Sequence, residues 1–117
     1  MKITKRGTNI VIQSSVKFNG GGEVIIYGGV EIGHEAWIET HTHDFHSPEK
    51  WQNKPEIVGM LTIESNVYVG ARAMVLFGCK KIAEGVVIGA GSIVTRFIDE
   101  HYTIWAGNPA KKIGERK

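Results

Sequence analysis

The sequence predicts an all-β protein in which one chain winds repeatedly through short parallel strands. Aliphatic residues recur every six positions, and a second apolar or small residue lies two positions before most of them. Glycine supplies 15 of the 117 residues and is spread along the chain, about twice the usual share of roughly 7%. A period of six fits neither the 3.6-residue period of an α-helix nor the alternation of a single strand. It fits a short strand followed by a turn, and three such units make one triangular coil of about 18 residues in a parallel β-helix.

The recurring aliphatic positions are predicted to point into the coil. They are Ile26, Ile32, Ile38, Ile57, Ile63, Val69, Val75, Ile82, Ile88 and Val94. The residues two positions earlier are Val24, Val30, Ala36, Leu61, Val67, Ala73, Val86 and Ser92, and the pairs Ile10/Ile12 and Val16/Phe18 extend the frame to the N-terminus. Ile and Val at inward positions favour extended backbone. The pattern accounts for about four coils.

Three interruptions divide this frame. Residues 19–23 insert three glycines, and residues 79–81 add one position before Ile82. The longest, at about 42–56, is polar and aromatic, and we expect a loop that leaves the coil at a corner. Functional residues concentrate on such loops. After Val94 the pattern fades, and we expect a short C-terminal cap, either a strand or one short helix.

Length and composition set the remaining expectations. A chain of 117 residues predicts a single domain over 1–117. The formal charge of +2, without a basic stripe interleaved with aromatics, argues against nucleic acid. No apolar run approaches about 18 residues and no signal-peptide pattern opens the chain, so we expect no membrane insertion and a cytoplasmic location. The single cysteine, Cys79, fits a reducing compartment, and we expect it to be structural rather than an acylated nucleophile.

Three ordered motifs carry a resemblance to a known family. They are THTHDFHSP at 40–48, IESNVYVGARAMVLFG at 63–78 and IGAGSIVTRFIDEHYTIWAGNPAKKI at 88–113. Together they resemble the hexapeptide-repeat acyltransferases, above all the sugar and polysaccharide O-acetyltransferases and the maltose, galactoside and xenobiotic acetyltransferases. The resemblance implies a left-handed parallel β-helix and a homotrimer with active sites between subunits. It also implies acetyl-CoA as co-substrate, with no metal required.

His43 is the predicted catalytic residue. Its place in Thr42-His43-Asp44 matches the catalytic histidine of the family. A hydroxyl attacks a thioester slowly unless a base takes its proton, and histidine suits that role near neutral pH. Asp44 and Glu39 are the candidates for orienting the ring. The expected reaction is direct transfer of an acetyl group to a sugar hydroxyl, or to an amine.

The resemblance also implies how coenzyme A and the acceptor would bind. Backbone amides of Ala71 and Ala90 would meet the pantetheine arm, with Tyr68 beside its reactive end. The far end of the cofactor would lie near Thr95, Arg96 and Lys111, where cations suit phosphates. For the acceptor, the candidates are His41, Asp44, His46 and Trp51.

Two other functions remain open from the sequence. The γ-class carbonic anhydrases share this fold and bind zinc through histidines, and His41 and His46 have the five-residue spacing of two such ligands. The third ligand should lie a coil or more upstream, yet no histidine precedes His34. The other alternative is a non-catalytic β-helical scaffold, because fold alone does not fix function.

Overall fold

The structure, a computed structural model, describes residues 1–116 and leaves Lys117 outside the described residues. Its regular secondary structure is almost entirely β-strand. The strands are β1 Lys2–Arg6, β2 Val11–Ile12, β3 Lys17–Asn19, β4 Glu23–Tyr27, β5 Glu31–Ile32, β6 Trp37–Glu39, β7 His41–His43, β8 Glu56–Val58, β9 Met60–Ile63, β10 Tyr68–Val69, β11 Met74–Val75, β12 Lys81–Ile82, β13 Val87–Ile88, β14 Ile93–Val94, β15 Thr103–Gly107 and β16 Ala110–Glu115, with one 3-10 turn at Trp51–Asn53. Among residues 1–116, no helix has the length and apolar character needed to cross a membrane.

Successive strands enter three sheets in turn. The first sheet has the order β1-β4-β9-β12, the second runs from β2 through β5, β10, β13 and β15 to β16, and the third has the order β3-β6-β11-β14. All neighbours within these sheets are parallel except β15 and β16. We call one passage through the three sheets a coil. The all-β, parallel architecture predicted from the six-residue period is confirmed.

The core is a set of aliphatic columns along the inside of the sheets. In the second sheet Ile32, Val69 and Ile88 occupy paired positions of β5, β10 and β13, and all three are fully buried. Because each inward side chain packs on its counterpart one coil away, the repeat gains stability by stacking. The inward positions from Ile26 to Val94 are buried as predicted, with the exception of Ile57.

Ile57 is where the predicted frame is wrong. It lies on β8 and is 43% exposed. Strand β8 pairs antiparallel with β7, so that His41, Thr42 and His43 face Val58, Ile57 and Glu56. The excursion is therefore a hairpin over 41–58 rather than a loop over 42–56. The coil resumes only at β9, whose Leu61 and Ile63 take the inward positions.

The C-terminal cap is a hairpin of two strands. Of the two alternatives expected from the sequence, a strand or a short helix, the strand is therefore the one observed. Strand β15 continues the second sheet beside β13, and β16 folds back antiparallel upon it. Trp105 is 8% exposed on β15, and its indole N–H donates to the Thr103 hydroxyl at 2.8 Å. The indole packs against the end of the aliphatic columns, where Trp105 pairs with Ile88 of β13.

Candidate active site

A cavity opens at one corner of the coil, where the third sheet gives way to the first. Its volume is about 640 Å³, within the range of roughly 300–1,000 Å³ usual for small-molecule sites. Its walls come from the ends of third-sheet strands or the residues just after them, and from the hairpin. They are Asn19, Glu39, His41, Thr42, His43, Phe45, Leu76, Phe77, Gly78 and Thr95. The hairpin that interrupts the repeat thus forms one wall of this cavity.

His41 and His43 enter the cavity side by side. Residues two apart on a strand point to the same face, and both lie on β7. Their ring centroids are 5.8 Å apart with an 80° angle between the planes. Nδ1 is buried in both rings, and within residues 1–116 the His43 Nδ1 has no hydrogen-bond partner. Two imidazoles therefore line one cavity.

Glu39, the last residue of β6, is held by donors from two sides and faces His41. Its carboxylate accepts hydrogen bonds from Trp37 Nε1 at 2.7 Å and from Asn19 Nδ2 at 2.9 Å. Its Oε1 lies 2.7 Å from His41 Nδ1. That approach lacks hydrogen-bond alignment, yet at this distance the two groups form an ion pair whenever His41 is protonated. The indole and the amide thus fix the position of a carboxylate against one of the two histidines.

The group that would orient His43 stays a prediction. Glu39 approaches His41 instead. Asp44 uses its Oδ1 to accept the backbone N–H of His46 at 3.0 Å, which stabilises the first turn of the hairpin loop. Neither carboxylate hydrogen-bonds or ion-pairs with the His43 ring within residues 1–116.

The remaining acceptor candidates lie along the hairpin loop. His46 is exposed and is not among the cavity walls. Trp51 is 59% exposed, packs edge-on against Phe45 at 5.9 Å between centroids, and lies under the ammonium of Lys54. Phe45, which sequence reasoning missed, is the ring that reaches the cavity. The sequence feature that could have identified Phe45 is its position, two residues after His43.

Most of the predicted cofactor residues lie outside the cavity wall. Thr95 follows β14 and lines the cavity, and the next residue, Arg96, is exposed. Ala71 and Ala90 occupy the stacked turns at the other end of the third-sheet strands. Tyr68 is 41% exposed on β10 of the second sheet, and Lys111 is exposed on β16.

The turns at Ala71 and Ala90 keep backbone donors free. The carbonyl of Ala71 accepts the N–H of Gly91 at 2.9 Å, and the N–H of Arg72 goes to His34. Within residues 1–116, the N–H groups of Ala71 and Ala90 donate to no backbone carbonyl. Unpaired N–H groups seek acceptors, so these turns can receive amide carbonyls of a ligand.

Cys79 lies beside this corner and is buried. Burial raises the pKa of its thiol to about 12, and its Sγ lies 3.5 Å from the carbonyl oxygen of Lys81. Since the thiolate is the nucleophile, a rise of about three pH units lowers the reactive fraction roughly a thousandfold near neutral pH. The structural assignment follows.

We therefore expect iodoacetamide at pH 8 to label Cys79 at least about 100-fold more slowly in the folded protein than in urea. Cys79→Ser should retain the wild-type rate of acyl transfer within about twofold. Rapid labelling of the folded protein that abolishes activity would contradict the structural assignment.

Comparison with known proteins places this geometry in context. No protein-family model matches the chain. A protein of Staphylococcus aureus (strain MRSA252) named "Putative acetyltransferase" is 37% identical over 111 residues, covering 93% of this chain and 53% of that protein. Chloramphenicol acetyltransferase of Klebsiella aerogenes is 48% identical over 58 residues, which cover 50% of this chain and 27% of that protein. The chain thus spans about half the length of the first of these relatives.

Solved structures resemble it over nearly all its length. A maltose O-acetyltransferase from Clostridium difficile has a TM-score of 0.70 at 24% identity, covering 99% of this chain and 67% of that one. The N-acyltransferase AntD from Bacillus cereus, in complex with dTDP and 3-hydroxybutyryl-CoA, has a TM-score of 0.72 at 21% identity. The match covers 99% of this chain and 78% of AntD. A hexapeptide-repeat acetyltransferase from Vibrio cholerae, complexed with acetyl coenzyme A, has a TM-score of 0.71 at 16% identity. The match covers 98% of this chain and 71% of that one.

The residues 1–116 contain no group of three or more His, Cys, Asp or Glu side chains placed to hold a metal ion.

The parallel sheets and the structural neighbours agree with the three motifs, so the resemblance stated from the sequence is confirmed: this chain has the fold of the hexapeptide-repeat acyltransferases.

Proposed function

We propose that the chain is an acetyl-CoA-dependent acyltransferase that acetylates a hydroxyl, or an amine, by direct attack on the thioester. The observation that carries this proposal is the corner cavity, in which two histidines of the family-like motif meet Thr95 of the C-terminal signature. Relatives named as acetyltransferases and neighbours solved with acyl-CoA support it.

His43 is the proposed general base. The acceptor oxygen would lose its proton to the His43 ring as it bonds to the carbonyl carbon. A positioned base of this kind contributes about 10²–10⁴-fold. The ring is half-buried on a strand, with Nδ1 shielded from water, so it has the fixed position that proton transfer requires.

Coenzyme A would extend from the cavity across the short strands β11 and β14. The free N–H groups at Ala71 and Ala90 would receive carbonyls of the pantetheine arm, with Tyr68 beside it. The exposed cations of Arg96 and Lys111 would face the phosphates. Acetyl is the proposed acyl group because relatives named as acetyltransferases match over 93% of this chain.

The proposed acceptor is a sugar, bound near His41, Asp44, His46 and Trp51. Neighbours with this fold include a maltose O-acetyltransferase and an N-acyltransferase solved with dTDP-4-amino-4,6-dideoxyglucose. A cavity with histidine and carboxylate side chains beside Phe45 and Phe77 suits a sugar, which offers hydroxyl groups and an apolar ring face.

The proposed assembly is a cytoplasmic homotrimer of left-handed coils, about four per chain. Exposed apolar residues support self-association: Ile57, Val58, Met60, Tyr68 and Phe97 are each at least 41% exposed. Such surface on a slender chain, 49 × 28 × 23 Å, favours contact with copies of itself.

Acetyl-CoA turnover tests the function directly. We expect thiol release above the rate of spontaneous hydrolysis with at least one member of a panel of sugars, nucleotide sugars and amines. Mass spectrometry of the product would identify the acetylated atom. Failure to bind acetyl-CoA, measured by calorimetry, would contradict the proposal and favour the non-catalytic scaffold.

A further inference from the structure

We propose that His41, held by Glu39, is a second catalytic residue, which donates a hydrogen bond to the thioester oxygen as negative charge develops there. The inference rests on the proposed acyl transfer and adds a role to the same cavity. It comes from side chains around His41 that neither the repeat nor the base assignment explains.

The first of these is a carboxylate held in place. Glu39 receives the indole N–H of Trp37 on one oxygen and the amide of Asn19 on the other. With those donors fixing it, Oε1 reaches His41 Nδ1 at 2.7 Å. Because a carboxylate only accepts hydrogen bonds, this short approach suits a proton on Nδ1, although the two atoms are not aligned as a hydrogen bond. When His41 is protonated the contact is an ion pair, and Nε2 then carries a proton as well.

The backbone around the ring is shaped to receive it. A Cβ added to Gly20, which has φ +108°, would lie 2.7 Å from His41 Nδ1 and 2.7 Å from the Thr40 hydroxyl oxygen. The inserted glycines therefore leave the space that the imidazole fills. Thr40 itself is buried and hydrogen-bonds to the backbone of Asn19 and Gly22, which anchors the start of β7.

The orientation that results leaves Nε2 as the nitrogen available to a ligand. Nδ1 is buried against Glu39, while the His41 ring lines the cavity together with His43. With one imidazole paired to a carboxylate and the other not, the two rings have different roles. His43 takes a proton, and His41 supplies one in a hydrogen bond without losing it.

In the reaction, the acceptor oxygen forms its bond to the carbonyl carbon while its proton moves to His43. The carbonyl π electrons move to the oxygen, where Nε2–H of His41 donates. When that pair returns, the carbon–sulfur bond breaks, and the sulfur of coenzyme A leaves with the bonding electrons and takes the proton held by His43. His41 ends the cycle as it began. Donors placed where charge develops are typically worth about 10²–10³ in kcat.

The test compares His41→Gln with His41→Leu, with His34→Gln as the matched control on an exposed histidine outside the cavity. Gln keeps an N–H near the position of Nε2 but cannot act as a base. We expect kcat to fall about 100-fold in His41→Leu and to stay at least about tenfold higher in His41→Gln, with the acceptor KM within about twofold of wild type. His43→Gln should show no such rescue.

Glu39→Gln provides a second variant that leaves the His41 ring in place. It should lower kcat by about tenfold, because the charged partner that holds the His41 ring at Nδ1 is lost. Circular dichroism and acetyl-CoA binding would confirm that each variant is folded.

Three outcomes would overturn the inference. A raised acceptor KM with unchanged kcat would make His41 an acceptor-binding residue. Equal inactivity of His41→Gln and His41→Leu, with His43→Gln active, would make His41 the base. Full activity of His41→Leu would leave it no catalytic role. In each case wild-type turnover preserves the proposed function, whereas absence of turnover in wild type overturns both.

Discussion

Replacing His43 by alanine should lower kcat by about 100-fold or more while acetyl-CoA still binds. The expected size follows from the usual contribution of general acid–base catalysis, about 10²–10⁴-fold. The His43 ring lies on the edge of a hairpin strand and outside the aliphatic columns, so its removal leaves the core untouched. Thiol release under saturating acetyl-CoA, with the best acceptor of the panel, measures kcat.

His34→Ala and His101→Ala are the controls, because both histidines are exposed and line no part of the corner cavity. Both should keep kcat within about twofold of wild type. If His43→Ala also stayed within twofold, His43 would have no part in proton transfer. If it lost acetyl-CoA binding together with turnover, its role would lie in the cofactor site.

The six-residue period was enough to predict the repeating core. Val69 and Ile88 are 19 positions apart and pair directly across β10 and β13, because one extra residue enters between them at the corner near Cys79. The sequence showed that insertion, and the column nevertheless stayed in register. A repeat predicts well because each coil contacts only its neighbours.

The pattern failed at Ile57 because period alone does not distinguish the coil from an excursion. Ile57 lies six positions before Ile63, yet β8 pairs with β7 and not with a coil strand. The polar and aromatic stretch at about 42–56 indicated that the chain leaves the coil. It did not indicate at which residues the antiparallel pairing of β7 with β8 begins. Such pairing depends on contacts between residues 15 or so apart, which a local window does not contain.

Within the candidate site, the sequence indicated the histidines but not their relationship. The resemblance assigned His43, while the pairing of Glu39 with His41 depends on Asn19, which lies one coil away. Residues 20 positions apart meet only when the coils stack in one register. The same holds for Phe77 and Thr95 in the cavity wall, whose proximity is a property of the stacked corners.

The glycine insertion before β4 should be highly sensitive to substitution at Gly22. A Cβ at Gly22 would lie 2.0 Å from the Gly59 carbonyl oxygen and 2.9 Å from Thr40 Cβ. Both are parts of neighbouring coils rather than flexible side-chain ends, so the coils themselves must move apart. We expect Gly22→Ala to lower the free energy of unfolding by about 3 kcal/mol or more, at the upper end for overpacked sites.

Gly21→Ala is the matched control, one residue away in the same insertion. Its added Cβ would meet its nearest atoms, Glu56 Oε1 and Val58 Cγ2, at 3.9 and 4.0 Å, which is ordinary contact. Its stability should stay within about 0.5 kcal/mol of wild type. Urea denaturation of the three proteins at one common concentration gives the comparison, because self-association would make stability depend on concentration.

The contrast between the two alanines also tests why glycine stands at position 22. If both variants keep the stability of wild type, close packing is not the cause. If only Gly22→Ala is destabilised, the insertion exists to let two coils approach at the base of the hairpin. Gly22 N–H donates to the Thr40 hydroxyl at 3.1 Å, and Thr40 directly precedes His41. Close packing there would then tie the stability of the coil to the position of β7, the strand that carries His41 and His43.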